Sequence, residues 1–147
     1  MNFAAAEVFG VLMRWVHLTS AVFTIGGFAY ARLVEAPSLA ALPPEDRSVL
    51  APLSSARFRP LIYSGIVGLL VSGLTNLLIN PGHTRYYYTW FGIKMLLALH
   101  VFAAGWLVLR PSGAHPDEHA RRARRMSGIL ISGLLAILVA AYLRRIF

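Results

Sequence analysis

Four long apolar segments dominate the pattern of hydrophobic and polar positions along the chain. Residues 61–79 and 126–143 contain no charged side chain, and each approaches the roughly 20 residues that a helix needs to cross a bilayer. Two further segments are as long and as apolar, apart from two ionisable residues in each. The pattern therefore predicts four membrane-spanning helices, at about residues 8–32, 60–79, 89–109 and 126–143.

The composition is typical of a membrane protein. Of the 147 residues, 57% are hydrophobic and only 14% are charged, which lies outside the usual range for a soluble domain. The chain has no cysteine, so disulfides and thiolate metal sites are excluded. Short connections between the spans favour an all-α, antiparallel four-helix bundle that forms one domain over residues 1–147, with the lipid bilayer as its first partner.

The basic residues give the chain a net charge of +8, but they flank the spans instead of lining one soluble face. We therefore expect no nucleic-acid partner. Arginines concentrate in the connectors 33–59 and 110–125, so the positive-inside rule predicts that both connectors are cytoplasmic and both termini outside. This is the expected topology of a multi-pass protein in a bacterial-type inner membrane. Because the first span follows acidic Glu7, we expect a retained span and not a cleaved signal peptide.

Small residues recur in the second and fourth spans. Such residues let helix backbones approach closely in a membrane, and the same absence of side chains would leave a flat wall against a porphyrin. The two interpretations are compatible. The residues are Ser64, Gly65, Gly68, Ser72 and Gly73 in the second span and Ser127, Gly128, Ser132 and Gly133 in the fourth.

Two histidines, His17 and His100, lie about ten residues into the first and third spans. An ionisable side chain at membrane depth costs roughly a few kcal/mol, so it usually faces the bundle interior with a partner or a ligand. The first and third spans run in the same direction in an antiparallel bundle. The spacing therefore predicts two imidazoles at one depth, placed as the two axial ligands of a single haem iron. The simpler alternative is hydrogen bonding to neighbouring helices.

Two cations accompany these histidines. Arg14 precedes His17 by three residues and Lys94 precedes His100 by six, so both are displaced toward the outer side. Haem carries two propionates that must not stay unpaired in hydrocarbon, and we expect Arg14 and Lys94 to pair with them. The alternative is that both side chains extend to the membrane surface.

Copper is the alternative metal. Met13 lies one helical turn before His17, and a thioether with an imidazole suits Cu(I). His115 and His119 also have the spacing of two metal ligands on a helix, although the residues between them resemble a solvated helix start. His83 falls in the connector between the second and third spans.

Four segments of the chain match a known group of membrane proteins, namely Arg14–His17, Gly27–Leu33, Trp90–Leu96 and Leu99–His100. They resemble the HemJ-type protoporphyrinogen oxidases and the related CopD-like membrane domains. In HemJ-like proteins a first-helix histidine, an arginine closing that helix, and a third-helix lysine followed by a histidine recur around haem b. The resemblance gives these roles to His17, Arg32, Lys94 and His100.

The resemblance implies a haem b-binding redox protein that passes electrons between a quinone and a second substrate, with protoporphyrinogen oxidation as the candidate reaction. Arg32, with Arg57 and Arg59, is a candidate to receive an anionic substrate. The stretches Gly73–Asn76 and Thr89–Lys94 are closer to CopD-like proteins and imply copper transport or resistance. A third hypothesis is a haem-bearing accessory subunit of a respiratory complex, and a homo-oligomer is also left open. The sequence assigns no catalytic residue.

Overall fold

The computed structural model describes residues 3–79, 85–110 and 118–146, and its regular elements are all helical. Four helices are long and apolar enough to cross a membrane. The predicted all-α four-helix fold is therefore confirmed, with four helices able to span a membrane. The loop histidines His83 and His115 lie outside the described residues. The elements are α1 (Phe3–Tyr30), a π-helical segment (Ala31–Glu35), α2 (Ala36–Ala40), α3 (Pro44–Ile79), α4 (Arg85–Leu109) and α5 (Glu118–Ile146).

The four long helices form an antiparallel ring. α1 packs along α3, and α4 packs along α5. The ring closes where Ile25 of α1 faces Gly133 of α5 and where the rings of Tyr63 in α3 and Trp106 in α4 lie 5.5 Å apart. α1 and α4, which carry the two histidines, therefore stand diagonally across the bundle.

The apolar core lies toward the end of the bundle where α1 finishes. Phe28, Ile62 and Ile129, from three different helices, are fully buried there. Large apolar side chains also cover the outside, as at Leu18 and Leu138. An apolar exterior around an apolar core is the arrangement expected of helices whose solvent is lipid.

The small residues predicted to allow close approach do so between α1 and α3. A Cβ added to Gly65 would collide with the Oγ1 of Thr24, and one added to Gly68 would collide with the Oγ of Ser20. Only glycine fits at these positions while the two helices keep their present separation. The predicted packing role of these glycines is confirmed.

The first helical stretch continues beyond residue 32, where the sequence predicted the first span to end. Ala5–Ala40 forms one apolar helical stretch, with Pro37 two residues after the end of the π-helical segment. Because proline lacks an N–H and displaces the preceding carbonyl, a widened turn lets the helix continue past it. In the same way α3 begins at Pro44, sixteen residues before the predicted start of the second span, so this helix also extends beyond the predicted span.

Arg47 fastens the connector between α2 and α3. Its Nε donates to the carbonyl of Leu39 at 2.9 Å, and its Nη2 donates to the carbonyls of Ala40 and Leu42 at 2.8 and 3.0 Å. These carbonyls stand at the C-terminal end of α2, where no intrahelical donor reaches them. This arginine therefore has a structural role in addition to its charge.

Candidate cofactor site around His17

His17 lies on the face of α1 that meets α3. Its ring Nδ1 is 3.0 Å from the Oγ of Ser72, a fully buried residue of α3. The same hydroxyl donates its proton to the carbonyl of Gly68 at 2.5 Å. A serine has one proton to donate, so toward His17 it acts as acceptor.

This relay decides which ring nitrogen of His17 carries the proton. Assigning the serine proton to Gly68 makes Nδ1 the donor to Ser72 and leaves the lone pair of the neutral imidazole on Nε2; the backbone carbonyl of Leu69 also lies within hydrogen-bonding reach of the ring. Histidines that bind metals have this arrangement, in which one ring N–H is held by a protein acceptor and the other nitrogen coordinates. The local chemistry thus prepares Nε2 of His17 as a ligand.

The surface of α3 beside the His17 ring has no side chain at Gly73. A Cβ at Gly73 would lie 3.4 Å from the Cε1 of His17, so glycine leaves the imidazole edge uncovered. Ser20 and Thr24 lie on the same face of α1, toward its C-terminal end from His17, and both are buried. The Oγ1 of Thr24 has no hydrogen-bond partner among the described residues. A short row of polar groups therefore runs from His17 into the core.

Lys94, and not His100, lies at the level of His17. A Cβ at Gly105 of α4 would be 3.2 Å from the Cζ of Phe28, which sets the register between the two diagonal helices. His17 precedes Phe28 by eleven residues, and the residue eleven before Gly105 is Lys94. The half-buried Lys94 is also close enough to His17 for their charges to interact. His17 and Lys94 thus lie at about the same level of the bundle.

His100 occupies a different level and a different side. It lies six residues beyond Lys94, about 9 Å further along the axis. Its Nδ1 is 2.7 Å from the Oγ of Ser132 in α5, and its side chain is exposed, whereas the adjacent Val101 is buried in the core. The imidazole therefore faces outward from the α4–α5 pair.

The expectation that His17 and His100 meet across one iron is corrected by this packing. Two imidazoles on one iron must approach it from opposite sides along a single line. Here they differ in depth by about 9 Å and bind serines on different helices. The pair does not fit the axial positions of one haem, whereas the surroundings of His17 fit one axial ligand.

Arg14 and Arg32, the other two residues predicted to bind the cofactor, lie at different distances from His17. Arg14 is exposed, one turn outward from His17 on the same helix. Arg32 lies in the π-helical segment, about 22 Å along the helix from His17, and its Nε donates to the Oγ of Ser127 at 3.4 Å. Arg32 therefore belongs to the opposite end of the bundle and not to the His17 site.

Ser72 was predicted only as a small packing residue, yet it holds the candidate ligand. Its signal in the sequence is weak, since the periodicity does not tell which small residue will meet which histidine. Met13, the candidate copper ligand, is half-buried one turn from His17. Among the described residues, no group of three or more histidine or carboxylate side chains could hold a metal.

A groove opens at the far end of the bundle, between the π-helical segment, α2 and the first half of α3. It encloses about 440 Å³, a volume within the range of small-molecule sites. The Oγ of Ser54 donates to the carboxylate of Glu35 at its edge. The walls are formed by Tyr30, Glu35, Ser38, Leu39, Leu50, Leu53, Ser54 and Arg57.

Fold and site together define a multi-pass, all-α membrane protein with a histidine held in its interior by an intramembrane serine. Comparison of the chain with protein-family models, with curated proteins and with solved structures gives no match. The function is therefore argued from the site alone.

Proposed function

We propose that this protein binds haem b inside the membrane through Nε2 of His17 and transfers electrons between a membrane quinone and a second substrate. The single observation that carries the proposal is the Gly68–Ser72–His17 relay, which fixes the imidazole and leaves Nε2 as its coordinating nitrogen. The simpler alternative of hydrogen bonding to a neighbouring helix is also seen at both histidines, so the proposal depends on the second ring nitrogen of His17.

The residues around His17 have distinct parts in this proposal. Ser72 orients the ring, and Gly73 keeps the Cε1 edge of the ring free of a side chain. Lys94 and Arg14 supply positive charge at the level of His17 and one turn outward, where haem propionates need partners. Haem, once bound, supplies one-electron chemistry. The protein contributes the ligand, the low dielectric and the counter-charges.

The substrate in this proposal is anionic and reaches the protein from the arginine-rich side. The groove has apolar walls at Leu50 and Leu53, and Arg57 is the cation in its lining, which suits a flat apolar molecule with an anionic substituent. A porphyrinogen has this chemistry, and protoporphyrinogen oxidation is the reaction that the family resemblance names.

The membrane in this proposal is a bacterial-type inner membrane with the connectors 33–59 and 110–125 in the cytoplasm.

An optical spectrum of the protein purified in detergent and reconstituted with haemin tests the ligand. We expect a Soret band in the wild type, its loss in His17→Ala, and its retention in His100→Ala, because only His17 faces the interior. Oxidation of porphyrinogen with a quinone acceptor then tests the reaction. If His17→Ala binds haemin as the wild type does, the proposal is wrong.

Copper is the second candidate, and one observation favours it. Met13 and His17 are half-buried at one-turn spacing on α1, so a thioether and an imidazole are available together. In this case the purified protein is colourless and retains Cu(I), and both Met13→Leu and His17→Ala reduce the retained copper. The reconstitution experiment above distinguishes the two metals.

The exposed His100 supports the third hypothesis, a subunit of a larger assembly. A histidine on the outer side of the bundle meets lipid unless another chain covers it, and its serine partner satisfies only one ring nitrogen. A respiratory-complex partner or a second copy of this chain would each provide such a cover. In this view haem binding at His17 and assembly at His100 are separate properties of the protein.

A further inference from the structure

Two arginines at the end of the bundle away from His17 each bury an unpaired nitrogen. The Nε of Arg59 in α3 and the Nε of Arg122 in α5 are shielded from solvent, and neither has a hydrogen-bond partner among the described residues. A buried donor on a charged group is costly to leave unsatisfied. The terminal nitrogens of both guanidinium groups are not among the shielded unpaired atoms, so they are open to an acceptor from outside the described chain.

Both arginines border the same apolar core. Arg59 lies one turn before Tyr63, which packs against the core, and Arg122 lies one turn before the buried Met126. The core also contains Leu109, the last residue of α4. Because α3 and α5 run in the same direction, Arg59 and Arg122 project from the same end of this core.

The end of the bundle is strongly cationic. Arg32 of the π-helical segment, whose Nε donates to Ser127, lies at the same end. Of the carboxylates there, Glu35 accepts from Ser54, and no described carboxylate forms an ion pair with Arg59 or Arg122. Positive-inside anchoring explains exposed arginines, but it does not explain guanidinium nitrogens withdrawn from water without a partner.

We propose that Arg59 and Arg122 bind the phosphoryl groups of anionic phospholipids at this end of the bundle. A phosphoryl oxygen accepts charge-assisted hydrogen bonds from guanidinium N–H groups, and its negative charge compensates an arginine that has no carboxylate partner. Basic pockets between membrane helices recognise phospholipid headgroups by the same chemistry. The acyl chains would lie along the apolar exterior of the bundle. This site is separate from the proposed haem site, from which it differs in level and in residues.

Thermal unfolding of the purified protein in a neutral detergent tests the site. The probes are dioctanoyl phosphatidylglycerol, the zwitterionic dioctanoyl phosphatidylcholine, and inorganic phosphate. We expect phosphatidylglycerol to raise the Tm in a saturable manner and phosphatidylcholine to leave it nearly unchanged. A shift produced equally by inorganic phosphate would identify a free anion as the ligand and overturn the lipid assignment.

Charge-conserving variants distinguish a specific guanidinium site from a general effect of positive charge. Arg59→Lys and Arg122→Lys keep the positive-inside signal but remove the guanidinium fork, and each should weaken the phosphatidylglycerol effect about tenfold in lipid concentration. Arg145→Lys, at the opposite end of α5, is the matched control and should change nothing. If wild type and both variants respond alike, or if phosphatidylcholine acts as well as phosphatidylglycerol, the inference is refuted. The wild-type lipid comparison decides the question even where a variant does not fold.

Discussion

A single hydroxyl governs the chemistry of the buried histidine. Ser72 cannot donate to both Gly68 and His17, and its bond to the helix carbonyl therefore sets the ring tautomer. His100 has a serine partner as well, but it lies outside the core. Both histidines have a serine partner, but His17 differs in its half-buried location and in the helix carbonyl that accepts from its serine.

The role of Ser72 is testable through haem affinity. In Ser72→Ala the imidazole loses its acceptor and can rotate or change tautomer, so we expect haemin binding to weaken about 10- to 100-fold, as for other partners of metal-bound histidines. Titration of the Soret absorbance measures this. Ser132→Ala removes the equivalent partner of His100 and serves as control. Equal affinities in the two variants would contradict the assignment.

At the scale of helices, the α1–α3 contact depends on residues without side chains. Gly65 and Gly68 admit Thr24 and Ser20 into the space that a Cβ would fill. Close backbone approach is a main source of attraction between helices in lipid, where burial of apolar surface adds little. The same contact positions Ser72 against His17, so the packing of these two helices also determines the geometry of the site.

Gly65→Ala should destabilise the bundle. The new methyl group meets the buried Thr24, so the helices must separate, and we expect a loss of about 1–3 kcal/mol in the free energy of unfolding. Reversible unfolding in mixed micelles measures it. At Gly26 a Cβ would meet nothing within 4 Å, and Gly26→Ala should be neutral or stabilising by up to about 1 kcal/mol. A destabilised Gly26→Ala with an unaffected Gly65→Ala would reverse this interpretation.

At the scale of the whole molecule, apolar side chains surround the bundle, whereas the arginines are concentrated at one end of its long axis. Apolar side chains cover the outside of the ring, while arginines collect at the end where α1 finishes and the apolar part of α3 begins. Lipid explains the first feature and the positive-inside rule the second. An orientation of the bundle in the membrane follows from them together.

The orientation can be measured because the chain contains no cysteine. A single cysteine introduced as Glu7→Cys or Arg57→Cys, both at exposed positions, reports its side of the membrane through a membrane-impermeant maleimide. We expect Glu7→Cys to react in intact cells and Arg57→Cys to react only after permeabilisation. The opposite pattern would invert the topology and place the arginine-rich end outside.

The sequence by itself determined the solvent, the four spans, the all-α class and the glycines that allow close packing, because hydrophobicity and side-chain size are properties of local segments. It also singled out His17 and Lys94. Only the tertiary structure decided that Lys94 stands level with His17 and that His100 faces away. Counting residues from the start of each span predicts depth only approximately, and the contact of Phe28 with Gly105 shifts the register by six residues from the expected pairing. The direction of a side chain depends on helix rotation, which neighbouring helices impose through packing and no single span encodes.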